Sequence, residues 1–194
     1  MTARIDELTV LICPTCTCNR TRFYVCPLAQ NVDSLGTVLG STVWHSFIGG
    51  PIAYTSLPRQ QFGHLQSRIF PRFFALQSLS ALALLGLYSR RPGGGELVRT
   101  FWRHGNKTVW ALVVMATTGL ANWLVVGPIT TDVMKTRHRR ERIEGKSYNE
   151  KDVSPEMKAL NKRFGKLHGI SSLVNLVYLA AAAGHAAWIA EYGA

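Results

Sequence analysis

Residues 108–131 read TVWALVVMATTGLANWLVVGPITT, a run of 24 residues without a single Asp, Glu, Lys or Arg. Three further runs of the chain share this property, namely 34–58, 73–89 and 169–190. The hydrocarbon core of a bilayer is about 30 Å thick, and a helix that crosses it needs roughly 17 to 25 apolar residues. All four runs meet this length. The sequence therefore predicts a polytopic membrane protein.

The charged residues lie entirely outside these four runs. The chain of 194 residues has 22 Lys and Arg against 11 Asp and Glu, which gives a formal net charge of +11. A soluble nucleic-acid-binding protein of this charge would carry its basic residues on one folded face, without long apolar runs between them. Nucleic acid is therefore not an expected partner. Four spans also leave no room for a second soluble domain of ordinary size.

The expected fold is all-α, with four transmembrane helices in one bundle over residues 34–194. The predicted spans are about 36–57, 71–89, 108–128 and 168–190. Gly49-Gly50-Pro51 in the first span and Gly127-Pro128 at the end of the third span predict bends in these helices. Gly36 and Gly40 form a small-xxx-small pair, which lets helices approach closely in lipid. This pair is a predicted contact for a homo-oligomer.

A basic segment before the fourth span has the pattern of an amphipathic helix. Ser154 is a suitable N-cap, and Pro155 suits the first helical position. Apolar residues then recur at helical spacing, and four basic residues occupy the other side of the helix: Lys158, Lys162, Arg163 and Lys166. We predict a helix that lies on the membrane surface and binds anionic lipid head groups. The alternative is a solvated extension of the fourth helix.

The N-terminal tail, residues 1–33, holds all four cysteines: Cys13, Cys16, Cys18 and Cys26. We predict that this tail is poorly ordered. The alternatives are metal binding and acylation, but a structural zinc site usually has two cysteine pairs separated by a longer loop. Asp6 and Glu7 argue against a secretory signal and against a mitochondrial presequence.

Lys and Arg are distributed unequally between the two sides of the predicted bundle. The loops 58–72 and 132–168 share one side and hold 14 of these residues, whereas the tail, the loop 90–107 and the C-terminus hold 8. The positive-inside rule places the two loops in the cytosol and both termini outside it. The expected location is an endomembrane or organellar membrane.

Polar residues inside the spans are the candidate functional residues. On the fourth helix, His168, Ser172 and Asn175 are spaced i, i+4 and i+7, so they share one face. His45 lies in the first span and Asn122 in the third. We predict that this intramembrane cluster forms interhelical hydrogen bonds. The alternative is that these side chains line a transport path or a ligand site.

Short motifs between about Gly36 and Ala190 keep a definite order relative to the four spans. They are Ser56-Leu57-Pro58-Arg59, Phe62-Gly63, Gln66-Ser67, Phe70-Pro71, Asn122-Trp123-Leu124, Thr130-Thr131, His168-Gly169-Ile170-Ser171-Ser172-Leu173 and Asn175. In this combination the chain resembles the transmembrane protein 205 family. The resemblance implies a four-helix membrane domain whose molecular activity is not established. The tail lies outside the resemblance.

The sequence contains no Gly-x-Ser-x-Gly or His-Glu-x-x-His motif, and no carboxylate lies inside a span. We therefore expect a non-enzymatic multi-pass membrane protein, without a cofactor, that organises lipid, a protein partner or a trafficking step. One alternative is a small-solute or ion transporter that uses the intramembrane His and Asn residues. A second is a haem-binding redox protein, although His45, His168 and His185 fall at three different depths.

Overall fold

The computed structural model describes residues 27–90 and 93–192, so the cysteine-containing part of the tail lies outside the described residues. Every regular element in these two ranges is helical. The elements are α1 (Pro27–Val43), a π-helical segment (Trp44–Gly49), α2 (Gly50–Ser56), α3 (Arg59–Ser89), α4 (Gly94–Arg99), α5 (Phe101–His104), α6 (Lys107–Ala121), a second π-helical segment (Asn122–Val126), α7 (Gly127–Glu144) and α8 (Pro155–Tyr192). The helix α1 begins inside the segment that the sequence assigns to the tail.

Eight of these elements form four rods, and α4 and α5 lie in the connection between rods 2 and 3. Rod 1 comprises α1, the first π segment and α2, rod 2 is α3, rod 3 runs from α6 to α7, and rod 4 is α8. Three helices of the described chain are long and apolar enough to cross a membrane: Arg59–Ser89, Lys107–Glu144 and Pro155–Glu191. Rod 1 is not among these three helices. Its role as a fourth span stays a prediction.

Apolar side chains on the rods are turned outward. Leu124 on rod 3 is 61% exposed, and Leu173 on rod 4 is 63% exposed. Contiguous apolar surface of this kind is unusual on soluble monomers, whereas acyl chains cover it in a bilayer. The exposed surface therefore agrees with helices that cross a membrane.

Rods 2 and 3 run antiparallel, and their ends meet through side chains. Gln60 Nε2 at the start of rod 2 lies 3.5 Å from Glu141 Oε2 near the end of rod 3. At the opposite end, Asn106 Nδ2 donates to the Tyr88 hydroxyl at 3.3 Å. We call the end that holds Gln60 and Glu141 the basic end, because the Lys- and Arg-rich segment 132–168 lies there.

The half of the bundle away from the basic end is densely packed. Its core takes residues from all four rods: Leu35, Val38, Ala81, Leu84, Leu112, Met115, Ala116, Tyr178 and Ala182. Burial of such side chains removes apolar surface from the surroundings and brings many atoms into contact. The core therefore holds the four rods together in this half only.

The predicted surface helix is not a separate element, because α8 runs without interruption through this segment. Met157 is fully buried, and this part of α8 packs against α7. Its apolar face therefore contacts protein, and the alternative of an extension of the fourth helix describes it better. The predicted N-cap is confirmed, since Met157 N donates to Ser154 Oγ at 3.1 Å. The basic residues of the segment are exposed: Lys158, Lys162, Arg163 and Lys166.

The connector 145–154 between rods 3 and 4 is fixed by ionic contacts outside the apolar part of the bundle. Arg140 contacts Glu144 and Glu156 at 2.6 Å each. Glu144 also accepts a hydrogen bond from the hydroxyl of Ser154. This bond, with help from Arg140, holds the pKa of Glu144 below its ordinary value, because both groups stabilise the ionised carboxylate.

Candidate functional site

A cleft of about 870 Å³ opens between the rods in the half of the bundle nearer the basic end. All four rods contribute to its walls, within 45–54, 59–74, 127–138 and 164–179. Tyr148 of the connector also lines it. The densely packed core and the cleft thus divide the bundle into two halves of different character.

Rod 1 changes its backbone geometry where it borders the cleft. The backbone N–H of Gly50 donates to the carbonyl of His45, five residues earlier, as in a π-helix. A Cβ atom on Gly50 would lie 2.7 Å from that oxygen, so this position requires glycine. No residue of the π segment or of α2 is buried. The second half of rod 1 therefore borders the cleft without burying any of its residues.

Rod 3 also has a π-helical segment that directly precedes a Gly-Pro pair. The N–H of Gly127 donates to the carbonyl of Asn122, and a Cβ atom on Gly127 would lie 2.5 Å from that oxygen. Pro128 follows, as Pro51 follows Gly50, and proline has no N–H to donate. The sequence predicted bends at both Gly-Pro pairs. The structure shows a π turn before each pair, and the bends themselves stay a prediction.

Hydrogen-bonded side chains form a layer between the core and the cleft. Gln77 Nε2 donates to Thr42 Oγ1 at 3.0 Å and to Asn175 Oδ1 at 2.9 Å. Asn175 Nδ2 in turn donates to Ser46 Oγ at 3.0 Å. The hydroxyl of Tyr178 donates to the backbone carbonyl of Gln77 at 3.0 Å. This polar layer joins rods 1, 2 and 4 and forms the floor of the cleft.

Asn122 joins rod 3 to rod 4. Its Nδ2 donates to the backbone carbonyl of Ser171 at 3.1 Å, and the residue is 1% exposed. Asn122 does not belong to the cleft wall. Two residues of the predicted cluster, Asn122 and Asn175, thus form interhelical hydrogen bonds in the structure.

The other three residues of the predicted cluster, His45, His168 and Ser172, line the cleft. The His45 ring lies 5.2 Å from that of Phe70 and 4.7 Å from that of Phe73, measured between centroids. The ring of His168 stacks on that of Phe164 at 5.7 Å. His185, by contrast, is buried beside Trp188 and is not part of this wall. The cleft therefore brings together His45 and His168 from rods 1 and 4.

Arg137 on α7 is a cleft residue that the sequence did not single out. It is only 8% exposed, and its guanidinium carbon lies 4.2 Å from the ring centroid of Tyr148 and 4.1 Å from that of Phe164. Within the described chain, its Nε has no hydrogen-bond partner, and both ion pairs belong to Arg140. Arg139, two positions on, is exposed and lies outside the cleft. Helical spacing distinguishes the two arginines, because Arg137 shares a face of α7 with the buried Val133 and Met134 and Arg139 does not.

Two further basic side chains border the same end of the cleft. Arg59 is exposed, and its guanidinium carbon lies 3.6 Å from the ring centroid of Tyr54. His138 packs against Gly63 so closely that a Cβ atom on Gly63 would overlap its imidazole. A side chain at position 63 would therefore displace the His138 ring. Gln66 is also buried in this wall, and its Oε1 has no partner among the described residues.

The predicted oligomer contact lies on the outside of rod 1. Gly36 and Gly40 are exposed, and among the described residues no atom comes within 4 Å of a Cβ placed on either one. These glycines therefore do not serve packing inside the described bundle. Association of two copies through this pair stays a prediction.

Comparison with known proteins identifies the family. Residues 34–139 match the family described as "Domain of unknown function (DUF4149)", and this stretch is more than half of the chain. The chain belongs to the DUF4149 family. The match includes most of rod 1, all of rod 2 and most of rod 3, and it ends two residues beyond Arg137.

Two named proteins are similar in sequence to this DUF4149 chain. It is 28% identical over 154 residues to "Transmembrane protein 205" of Danio rerio. The aligned region covers 71% of this chain and 78% of the relative. It is 31% identical over 98 residues to "Xanthocillin biosynthesis cluster protein D" of Aspergillus fumigatus, which covers 49% of this chain and 57% of that relative. No solved structure matches the chain. The resemblance drawn from the motifs is confirmed, and the chain is an integral membrane protein of the transmembrane protein 205-like type.

Proposed function

We propose that this DUF4149 protein is a non-enzymatic, four-span membrane protein that binds a lipid in its cleft and so organises lipid in its membrane. The cleft supports the proposal because it extends from the apolar part of the bundle to its basic end. Asn175 on its floor lies six residues inside the apolar run 169–190, and Arg137 lies six residues beyond the run 108–131. At 1.5 Å per residue, each distance is about 9 Å along a helix.

The lining of the cleft supports an amphiphilic ligand. Phenylalanine side chains of rods 2 and 4 form much of the wall, namely Phe62, Phe70, Phe73, Phe74 and Phe164. A small number of polar groups stands among them, as in many small-molecule sites. An acyl chain fits the aromatic part, and a polar head group fits the basic end.

Rod 1 is the fourth span in this proposal. Its residues 27–56 would extend about 45 Å as a helix, which exceeds the hydrocarbon thickness of about 30 Å. Its two halves reach opposite ends of the bundle, since Ser34 and Arg90 line one shared cavity and Tyr54 contacts Phe62 near the basic end. Trp44 and Phe47 are each 60% exposed, which suits contact with acyl chains.

The basic end faces the cytosol in this proposal, because the positive-inside rule favours that orientation. The exposed basic residues at the start of rod 4 would then contact anionic head groups of the cytosolic leaflet, with about 1 kcal/mol for each Lys or Arg near the surface. These residues are Lys158, Lys162, Arg163 and Lys166. That the membrane is an endomembrane or an organellar membrane stays a prediction.

The transport alternative requires a continuous polar path across the bundle. The hydrogen bonds of Gln77 with Thr42 and Asn175 lie across the inner end of the cleft, and the apolar core lies beyond them. This arrangement favours a site with one open end over a path. We therefore retain lipid binding as the proposal.

A photoactivatable lipid tests this proposal. The full chain is placed in lipid nanodiscs that contain a phospholipid with a diazirine on its acyl chain, and labelled peptides are mapped by mass spectrometry. We expect labelling of the cleft wall around Phe70 and Asn175. Ser172→Trp should fill the cleft and reduce this labelling, whereas Leu173→Trp, on the exposed side of the same helix, should not. Equal labelling in both variants would contradict lipid binding in the cleft.

A further inference from the structure

Arg137 is a buried cation that forms no ion pair among the described residues, although the charge of Glu141 on the same helix acts favourably on it. Its exposed fraction is 8%, and its Nε is buried without a partner in the part of the chain that the structure describes. The rings of Tyr148 and Phe164 attract the guanidinium through their π faces. Such contacts do not satisfy its N–H donors, which form in-plane hydrogen bonds. A donor left unpaired in a buried site is unfavourable, so a ligand that pairs with it gains affinity.

The carboxylate nearest along α7 is engaged elsewhere. Glu141 Oε1 accepts from the backbone N–H of Tyr148 at 2.9 Å, and Glu141 Oε2 lies 3.5 Å from Gln60 Nε2. Asn161 Nδ2 donates to the carbonyl of Tyr148 at 2.7 Å. These bonds fix Tyr148 beside Arg137. The guanidinium is therefore held in one position by groups that do not form an ion pair with it.

The cleft as a whole is complementary to an anion. Its ionisable lining residues include two arginines and three histidines, and the described lining contains no Asp or Glu: Arg59, Arg137, His45, His138 and His168. The two arginines lie at the basic end, beyond the apolar runs of the sequence. An acyl chain between the phenylalanine side chains would bring its head group to this end.

We propose that the bound lipid carries an anionic head group, a phosphate or a carboxylate, that pairs with Arg137. Guanidinium binds these two groups through paired N–H donors, which makes the contact both strong and directional. A choline head group would bring a second cation to the same end of the cleft and is disfavoured. This inference rests on the proposed lipid-binding function and adds the class of the lipid to it.

The test uses two photoactivatable lipids with identical diazirine-bearing acyl chains, a phosphatidic acid and a phosphatidylcholine. The full chain is labelled in phosphatidylcholine nanodiscs with each lipid at the same low fraction, and labelling of cleft peptides is compared. We expect the phosphatidic acid to label the wild-type cleft about tenfold more strongly. Arg137→Gln should reduce this ratio to about one, and Arg137→Lys should retain part of it because the charge remains.

Arg139→Gln is the matched control, because it removes the same charge from an exposed position two residues away, outside the cleft. Its ratio should equal that of the wild type. If Arg137→Gln does not give a folded, monodisperse protein, Arg59→Gln at the exposed edge replaces it and should lower the ratio about twofold to threefold. An unchanged ratio in a folded Arg137→Gln or Arg59→Gln variant would overturn the proposal.

The failures of the two proposals are distinguishable. Labelling of the cleft by both lipids to the same extent would overturn the preference for an anionic head group and leave the proposed lipid binding intact. Labelling of the cleft by neither lipid would overturn the proposed function itself. A large molar excess of inorganic phosphate should not displace the lipid, and displacement by phosphate alone would show a free-anion site in place of a lipid site.

Discussion

The side-chain amide of Gln77 on rod 2 donates to Asn175 on rod 4 at 2.9 Å, at the boundary between the packed core and the cleft. Gln77 is 1% exposed, and its second hydrogen bond reaches Thr42 on rod 1. A polar group without a partner in hydrocarbon is unfavourable by several kcal/mol, so each amide restricts where the other helix can lie. This pair therefore fixes the register of three rods at the floor of the cleft.

Replacement of either amide should destabilise the bundle. Gln77→Leu and Asn175→Leu each remove two interhelical bonds, and at about 0.6 to 2 kcal/mol for each bond we expect a loss of about 1 to 4 kcal/mol. The double variant should lose less than the sum, because the two residues share one bond. Thermal unfolding in a fixed detergent measures these differences. Thr117→Val is the control, since its hydroxyl is exposed and bonds only within its own helix. Strict additivity of the two changes would contradict a direct Gln77–Asn175 bond.

The π turn of rod 3 should not tolerate a side chain on Gly127. Gly127→Ala places a Cβ 2.5 Å from the Asn122 carbonyl, so the turn must rearrange and move Asn122 away from Ser171. We expect a loss of about 1 to 3 kcal/mol, as for other overpacked sites. Gly165→Ala is the matched control in α8, where nothing lies within 4 Å of the new Cβ and alanine should be neutral or stabilising by up to about 1 kcal/mol. Equal unfolding temperatures for both variants would contradict a steric clash between a Cβ at position 127 and the Asn122 carbonyl.

The connector between rods 3 and 4 should loosen on acidification. Because the Ser154 hydroxyl lowers the folded-state pKa of Glu144, this contact contributes stability above the unfolded pKa of the carboxyl. The contribution is lost as the pH falls through the lowered folded-state pKa. Hydrogen exchange of residues 145–154 over a pH series should show this loss, and Ser154→Ala should move it to higher pH. Ser147→Ala, at an exposed position in the same connector, should leave the pH midpoint of this loss unchanged. A shift of the midpoint as large as that of Ser154→Ala would count against the prediction.

The topology can be read with an impermeant thiol reagent in sealed vesicles of known orientation. The native cysteines between Cys13 and Cys26 should react only from the non-cytosolic side. A cysteine introduced by Ser56→Cys into a chain with these four replaced should react from the cytosolic side, because rod 1 would lie between the two positions. Labelling of both positions from one side would show that rod 1 does not cross the membrane.

Much of the fold could be predicted from where charges are absent. The runs 73–89, 108–131 and 169–190 correspond to the helices that can cross a membrane, and Ser154 caps the last rod as its sequence context predicts. The role of Gln77 also had a signal, because it is the one amide in the run 73–89. A polar side chain in so short an apolar run requires a partner.

Other features depend on tertiary contacts that a pattern of residue types does not contain. Amphipathic spacing around Met157 cannot say whether protein or lipid covers the apolar face, and here α7 covers it. Arg137 and Arg139 have the same chemistry and lie two positions apart, and the contacts of Arg137 with Tyr148 and Phe164 cannot be read from residue types alone. The Gly-Pro pairs predicted bends, but an i→i+5 bond depends on how the rod packs.

The most direct test of the lipid-binding cleft is a high-resolution density map of the full chain in nanodiscs that contain phosphatidylcholine and phosphatidic acid. We expect elongated density between rods 1, 2, 3 and 4, with its head group within hydrogen-bonding distance of Arg137 and its chain beside Phe70 and Phe73. A map in which side chains close the cleft, or in which Arg137 pairs with a carboxylate of the chain and no elongated density is present, would contradict it.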